Sequence, residues 1–136
     1  MTFHLVPTVL ATSLVLAAPA QALGILQCTV DQFLTTDDDP GFVQKNLMGF
    51  YQINHQPKSV RVLMRSDVFE PTNDVFTVQK SSGIDTVAIR NTYMMHSVIV
   101  VPVNPDSEID SKGSVGVTIA LMGNAFANTW LLDCTR

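Results

Sequence analysis

The segment from Gly113 to Cys134, GSVGVTIALMGNAFANTWLLDC, decides the fold of this chain. Its first half places an apolar side chain at every second position: Val115, Val117, Ile119 and Leu121. Its second half has one face made of Phe126, Asn128, Trp130, Leu132 and Cys134. Such alternation is typical of half-buried strands, and Gly123-Asn124 between them is a tight-turn signal because both residues tolerate positive φ. The segment predicts a hairpin with Cys134 on its core face.

The chain has two cysteines, and the other one lies near the opposite end. Cys28 belongs to a short apolar strand, where it shares one face with Leu26 and Val30. We expect a buried Cys28–Cys134 disulfide that joins the first and last strands and stabilises the domain by roughly 4–5 kcal/mol. The alternative is a pair of free buried thiols, which would require a reducing compartment.

The N-terminal residues indicate export. Leu5 to Ala18 is apolar and uncharged, and Ala20-Gln21-Ala22 is a small-x-small cleavage site, although residues 1–4 carry no Lys or Arg. We therefore interpret residues 1–22 as a secretory signal peptide and residues 23–136 as a single β domain of the periplasm or the medium. Gln27 before Cys28 argues against a lipoprotein, and no other segment is long and apolar enough to span a membrane.

Alternation and turn residues predict eight strands after the signal peptide, while residues 38–48 have room for one short helical turn. The expected strands are 25–33, 47–54, 59–65, 74–80, 84–90 and 97–101, followed by the two strands of the closing hairpin. Eight short strands joined by turns predict an all-β, mostly antiparallel barrel or barrel-like sandwich. A closed meander makes its first and last strands neighbours, so the predicted disulfide favours the barrel over an open sandwich.

The charge of the chain excludes some partners. Twelve acidic and eight basic residues give a formal net charge of −4, and no basic cluster is present. We therefore expect no nucleic-acid binding and no attraction to an anionic membrane surface. Only 15% of the residues are charged, against about a quarter in an average domain. A surface this neutral favours a contact face.

Catalytic and cofactor signatures are missing from the sequence. His55 and His96 are the histidines that follow the signal peptide, and we expect both to lie at the surface. No Gly-x-Ser-x-Gly elbow or phosphate-binding glycine loop occurs, and both cysteines are assigned to the disulfide. We predict no catalytic residues and no cofactor.

Two acidic segments are candidates for calcium binding. Asp37-Asp38-Asp39 precedes Pro-Gly, which is usual in a solvated loop. Asp106 to Gly113 has alternating acids like an EF-hand loop, but Ser111 stands in place of the turn glycine and Val117 in place of the bidentate Glu. We predict no metal site.

The segment Tyr93-Met94-Met95 is the most suggestive feature for binding, because methionine adapts to irregular apolar surfaces as well as filling cores. The first hypothesis is a non-enzymatic binding module of the cell envelope that docks a protein through these residues. The second is a carrier of a small apolar ligand in the barrel lumen, and the third is a hydrolase that uses His96.

In size and plan the chain resembles small exported bacterial β-barrels that include the periplasmic lysozyme inhibitors. The resemblance implies an inhibitor-like function. Ser82-Gly83-Ile84-Asp85, however, lacks the basic-aromatic pair that follows the serine and glycine in those inhibitors.

Overall fold

The computed structural model describes residues 24–103 and 113–136. It contains eight strands and one helix. In chain order these are β1 (Gly24–Thr35), α1 (Pro40–Leu47), β2 (Phe50–His55), β3 (Ser59–Arg65), β4 (Thr72–Ser81), β5 (Asp85–Asn91), β6 (His96–Pro102), β7 (Val115–Met122) and β8 (Ala127–Thr135). The predicted signal peptide and most of the acidic segment from Asp106 to Gly113 lie outside the described residues.

The eight strands form a closed antiparallel barrel in which each strand pairs with its neighbours in the chain and β1 pairs with β8. The predicted all-β fold is therefore confirmed, and the barrel alternative is the one adopted. Closure leaves no strand with an unpaired edge, which removes the usual template for edge-to-edge aggregation.

The pairing of β1 with β8, here called the seam, carries the disulfide. Cys28 and Cys134 are direct cross-strand partners with Cα atoms 4.0 Å apart, and both are completely buried. The predicted disulfide is thus confirmed. Further along the seam the register shifts between Val30 and Gln32, which marks a β-bulge at Asp31.

The helix α1 was only partly anticipated. Residues 47–49 were predicted to begin strand β2, but α1 extends to Leu47 and β2 begins at Phe50. Asp39 is the N-cap residue, with its carboxylate accepting a hydrogen bond from the Gly41 amide at 2.8 Å, and Pro40 opens the first turn. These are favourable residues for a helix start, so the helix forms although it is only eight residues long.

The turn of the closing hairpin lies where the sequence predicts, but its backbone conformation differs from the expected one. Residues 123–126 connect β7 to β8, and the Gly123 amide donates to the Phe126 carbonyl at 3.0 Å. Positive φ, expected for Gly123 and Asn124, is found among the described residues only at Gly24 and Gly113. The close neighbour of Gly123 is instead the partly exposed ring of Phe126, which would have to move to make room for an added Cβ.

Candidate ligand site at the barrel mouth

The two ends of the barrel differ in packing. The end that carries the β2–β3 and β4–β5 turns, here called the closed end, is filled by side chains that have almost no exposure to solvent. These include Leu26, His55, Val60, Thr86 and Val101. The other end, here called the mouth, carries α1, the β3–β4 loop and the β5–β6 and β7–β8 turns. The lumen at the mouth is not filled.

A partly open cavity of about 330 Å³ lies at the mouth. Its walls are mainly apolar or aromatic and come from the strands β2 to β8 and the β5–β6 turn. The apolar and aromatic lining residues are Tyr51, Val62, Met64, Phe76, Met95, Ile119, Leu121 and Trp130. A second hollow of about 370 Å³ shares Tyr51, Met64, Thr72, Leu121 and Trp130 with the first and continues under α1 towards Phe42 and Phe69.

The helix is fixed at one side of the mouth through Asn46, the one residue of α1 that is buried. The Asn46 side-chain amide donates to the Phe42 carbonyl at 2.9 Å, and its oxygen accepts from the Trp130 indole N–H at 3.2 Å. Phe33 packs against both Phe42 and Trp130, with ring centroids 5.7 and 5.1 Å away. These contacts join α1, β1 and β8 and hold the indole ring in the cavity wall.

Two charged side chains line the 330 Å³ cavity. Asp74 on β4 and Arg90 on β5 form an ion pair with a Nη2–Oδ1 distance of 3.1 Å, and each side chain is about one-third exposed. Asp74 is the strand partner of inward-facing Val62, and Arg90 is the partner of buried Ser97, whose hydroxyl group also lines the cavity. The cavity therefore has one polar wall, and the charges in that wall cancel.

Two buried titratable groups face the lumen at different depths. Burial raises the pKa of Tyr51 far above its ordinary value, so the phenol near the mouth stays neutral. Burial also lowers the pKa of His55, an effect that its hydrogen bond to the Pro102 backbone partly opposes. The expectation that His55 lies at the surface was wrong, because it is the last residue of β2 and only 3% exposed.

The residues proposed from the sequence as a contact patch lie at the mouth. Tyr93 is fully exposed in the β5–β6 turn and Met94 is largely exposed, whereas Met95 turns inward and lines the cavity. His96 is exposed at the start of β6, and its Nδ1 lies 3.0 Å from the Asn91 side-chain oxygen.

Other exposed apolar side chains surround the same end. Together with Tyr93 and Met94 they form what we call the rim, which also includes Leu34, Met48, Phe50, Val68, Met122 and Phe126. The rim contains most of the large apolar side chains that are exposed in the described chain. Access to the cavity is therefore through an apolar surface.

Two of the acidic residues at positions 37–39, which were considered for calcium, accept hydrogen bonds from the backbone. Asp37 accepts a hydrogen bond from the Asp39 amide at 2.8 Å, and Asp39 caps α1. Within residues 24–103 and 113–136, no group of three or more His, Cys, Asp or Glu side chains could hold a metal ion. In the same part of the chain, no helix has the length and apolar character needed to cross a membrane.

Sequence reasoning missed the Asp74–Arg90 pair and the Asn46–Trp130 contact. A signal for Arg90 exists, because it lies in phase with the inward residues Thr86 and Ala88 of β5. No protein family, curated protein or solved structure matched this chain.

Proposed function

We propose that this domain is an exported, non-enzymatic binding protein that holds a small, mainly apolar ligand in the mouth cavity. The observation that supports it is a partly open cavity of about 330 Å³ above a densely packed closed end. Ligand sites typically measure roughly 300–1,000 Å³ and combine apolar walls with a few polar groups. The cavity has this composition, so the carrier hypothesis now ranks above a protein-docking role.

The rim supports the same proposal. An apolar molecule that leaves water must pass the entrance of the cavity, and exposed apolar side chains there lower the cost of that step. Neither Tyr93 nor Met94 packs in the core, so these two exposed side chains do not contribute to the packing of the barrel.

The test is a titration with the neutral fluorophore N-phenylnaphthylamine, whose emission rises in an apolar site. Thr72 is exposed and lines both hollows, so Thr72→Trp should fill the entrance without disturbing the core. Thr77→Trp is the matched control, because Thr77 is exposed on the same strand but does not line the cavity. We expect wild type and Thr77→Trp to bind the probe and Thr72→Trp to lose at least about tenfold in affinity. Equal binding by all three would refute the site.

A second candidate function rests on Tyr93, which is fully exposed at a turn. Tyrosine and methionine are enriched in protein interfaces, so this turn could dock a protein partner of the cell envelope. Replacing Tyr93 by Ser and Met94 by Asp should then abolish co-purification of that partner from the exported fraction, with fluorophore binding unchanged. If co-purification persists in the double variant, this turn is not the docking site.

Export is the remaining part of the proposal. It is supported by the sequence of residues 1–22 and by the buried disulfide, which is consistent with an oxidising compartment. Intact-mass measurement of the protein from its native compartment should give a chain that begins at Leu23 and lacks two hydrogens. A mass that retains residues 1–22 would contradict export through a cleaved signal peptide.

A further inference from the structure

We infer that the mouth cavity selects an amphiphile with an apolar tail and one neutral hydrogen-bonding head group, such as an alcohol or an amide, over the corresponding anion or cation. This inference rests on the proposed binding function and names its ligand class. It is carried by the Asp74–Arg90 ion pair in the wall of a cavity that is otherwise mainly apolar.

The pair makes the cavity wall polar without making it charged. With Nη2 and Oδ1 3.1 Å apart, the fields of the guanidinium and the carboxylate largely cancel at distances well beyond their separation, and the pair contributes no net charge to the cavity wall. A carboxylate ligand would gain hydrogen bonds from Arg90 but would also lie beside Asp74. An ammonium ligand would gain a hydrogen bond to Asp74 but would also lie beside the Arg90 guanidinium. Either ion would lose its hydration without a net opposite charge to replace it.

A neutral head group avoids both conflicts. A hydroxyl or an amide both donates and accepts, so it can accept from the Arg90 guanidinium and donate to the Asp74 carboxylate at the same time. The guanidinium has five N–H donors and the carboxylate has several acceptor positions, so the ion pair keeps free hydrogen-bonding capacity. Ser97, the strand partner of Arg90, adds a hydroxyl group to the same wall.

The adjoining hollow adds one charged group to the mouth, Glu70 of the β3–β4 loop, which lines that hollow and does not line the 330 Å³ cavity. The charge balance of the cavity wall is therefore set by Asp74 and Arg90. Apolar walls from Phe76, Leu121 and Trp130 then accommodate the tail.

The experiment compares three ligands that share one tail: decanol, decanoate and decylamine, each used at neutral pH to displace N-phenylnaphthylamine. We expect wild type to bind decanol at least about tenfold more tightly than either ion. Asp74→Asn leaves Arg90 unpaired and should shift the preference to decanoate. Arg90→Gln leaves Asp74 unpaired and should shift it to decylamine. The double variant should again prefer decanol.

Matched control variants change the net charge of the protein by the same amount, but at positions away from the mouth. Asp31→Asn and Arg61→Gln remove exposed charges on β1 and β3 that do not line the cavity, and they should keep the preference of wild type. Near-ultraviolet circular dichroism of each variant verifies the fold. If Asp74→Asn fails to fold, the Arg90→Gln variant and the wild-type preference still decide the result.

Each outcome separates this inference from the function on which it rests. If decanol, decanoate and decylamine displace the fluorophore equally from wild type, or if either decanoate or decylamine is preferred, the head-group inference is refuted while ligand binding stands. If the preference changes equally in Asp74→Asn and Asp31→Asn, the ion pair is not the selecting group. If wild type binds neither the fluorophore nor any of the three ligands, both proposals fail.

Discussion

Reduction of the Cys28–Cys134 disulfide should remove a large part of the stability of this domain. The bond closes a loop of 106 residues. In the chain-entropy view, cross-linking a loop of this length lowers the entropy of the unfolded chain by about 16 cal/mol/K, which corresponds to about 4.8 kcal/mol at room temperature. Single domains are stable by only about 5–15 kcal/mol, so the reduced protein should be marginally folded.

Urea unfolding followed by Trp130 fluorescence measures this loss, with the oxidised and the reduced wild-type protein compared at the same concentration. Reduction changes no side-chain volume, so it avoids the cavity that a Cys→Ala substitution would leave in the core. The slope of the unfolding free energy against urea should increase on reduction, because an unfolded chain without the cross-link exposes more surface.

A decrease of less than about 2 kcal/mol would refute the reasoning, since the loop-closure entropy would then not be the main contribution of the bond. The native barrel is expected to remain closed after reduction. The strands β1 and β8 stay paired by backbone hydrogen bonds on both sides of the cysteines, from Gln27 opposite Thr135 to Thr35 opposite Asn128.

Three further predictions concern single side chains. Because burial lowers the pKa of His55, the unfolded chain binds more protons there: stability should fall as the pH drops below the ordinary value of 6.5 and level off below the lowered pKa. Thermal unfolding across this range should show the decrease in wild type and not in His55→Gln. Asp39→Ala removes the N-cap of α1 and should cost about 1 kcal/mol in urea unfolding, whereas the control Asp38→Ala leaves the cap in place and should change stability by less than about 0.5 kcal/mol. Asn46→Ala leaves the Trp130 N–H without its partner, so we expect a loss of about 1–3 kcal/mol together with weaker fluorophore binding; unchanged affinity would show that α1 does not shape the site.

The barrel is predictable from the sequence because its strands alternate so regularly. Val115, Val117 and Ile119 point inward as their spacing predicts, and Cys134 follows Leu132 on the core face of β8. Both cysteines lie on the core faces of the terminal strands. A closed eight-strand meander makes those strands neighbours, so the seam follows directly. The prediction could not choose the barrel with certainty, because a disulfide can also join two stacked sheets.

The helix was harder to predict, for a physical reason. It presents no continuous apolar stripe, and its attachment to the barrel depends on side-chain contacts: Asn46 with Trp130 in β8, which is 84 positions away, and Phe42 with Phe33 in β1. A local signal was nevertheless present in Asp39 and Pro40, which are typical of an N-cap and a first helical turn.

The cavity and its ion pair depend on the curvature of the closed sheet. Alternation does place Arg90 in phase with Ala88, and His55 in phase with Ile53, so their inward orientation could have been inferred. It does not say how far apart inward side chains from different strands will lie, or whether they will fill the space between them. Those distances follow only from the register and closure of all eight strands.

The position of the disulfide along the seam has a consequence for motion. The covalent bond lies toward the closed end, and the bulge at Asp31 separates it from the last four cross-strand pairs, Gln32–Leu131 to Thr35–Asn128, beside the mouth. Beyond the bulge the strands are joined by non-covalent contacts, which include the hydrogen bond from Thr35 Oγ1 to Asn128 Oδ1 at 2.6 Å and the packing of the Phe33 and Trp130 rings. Local separation of this segment would widen the entrance without opening the barrel. Amide hydrogen exchange should therefore divide the seam into a slow half around Cys28 and a faster half near Thr35. In the proposed binding function, the slow half would preserve the fold while the faster half would open to admit the ligand.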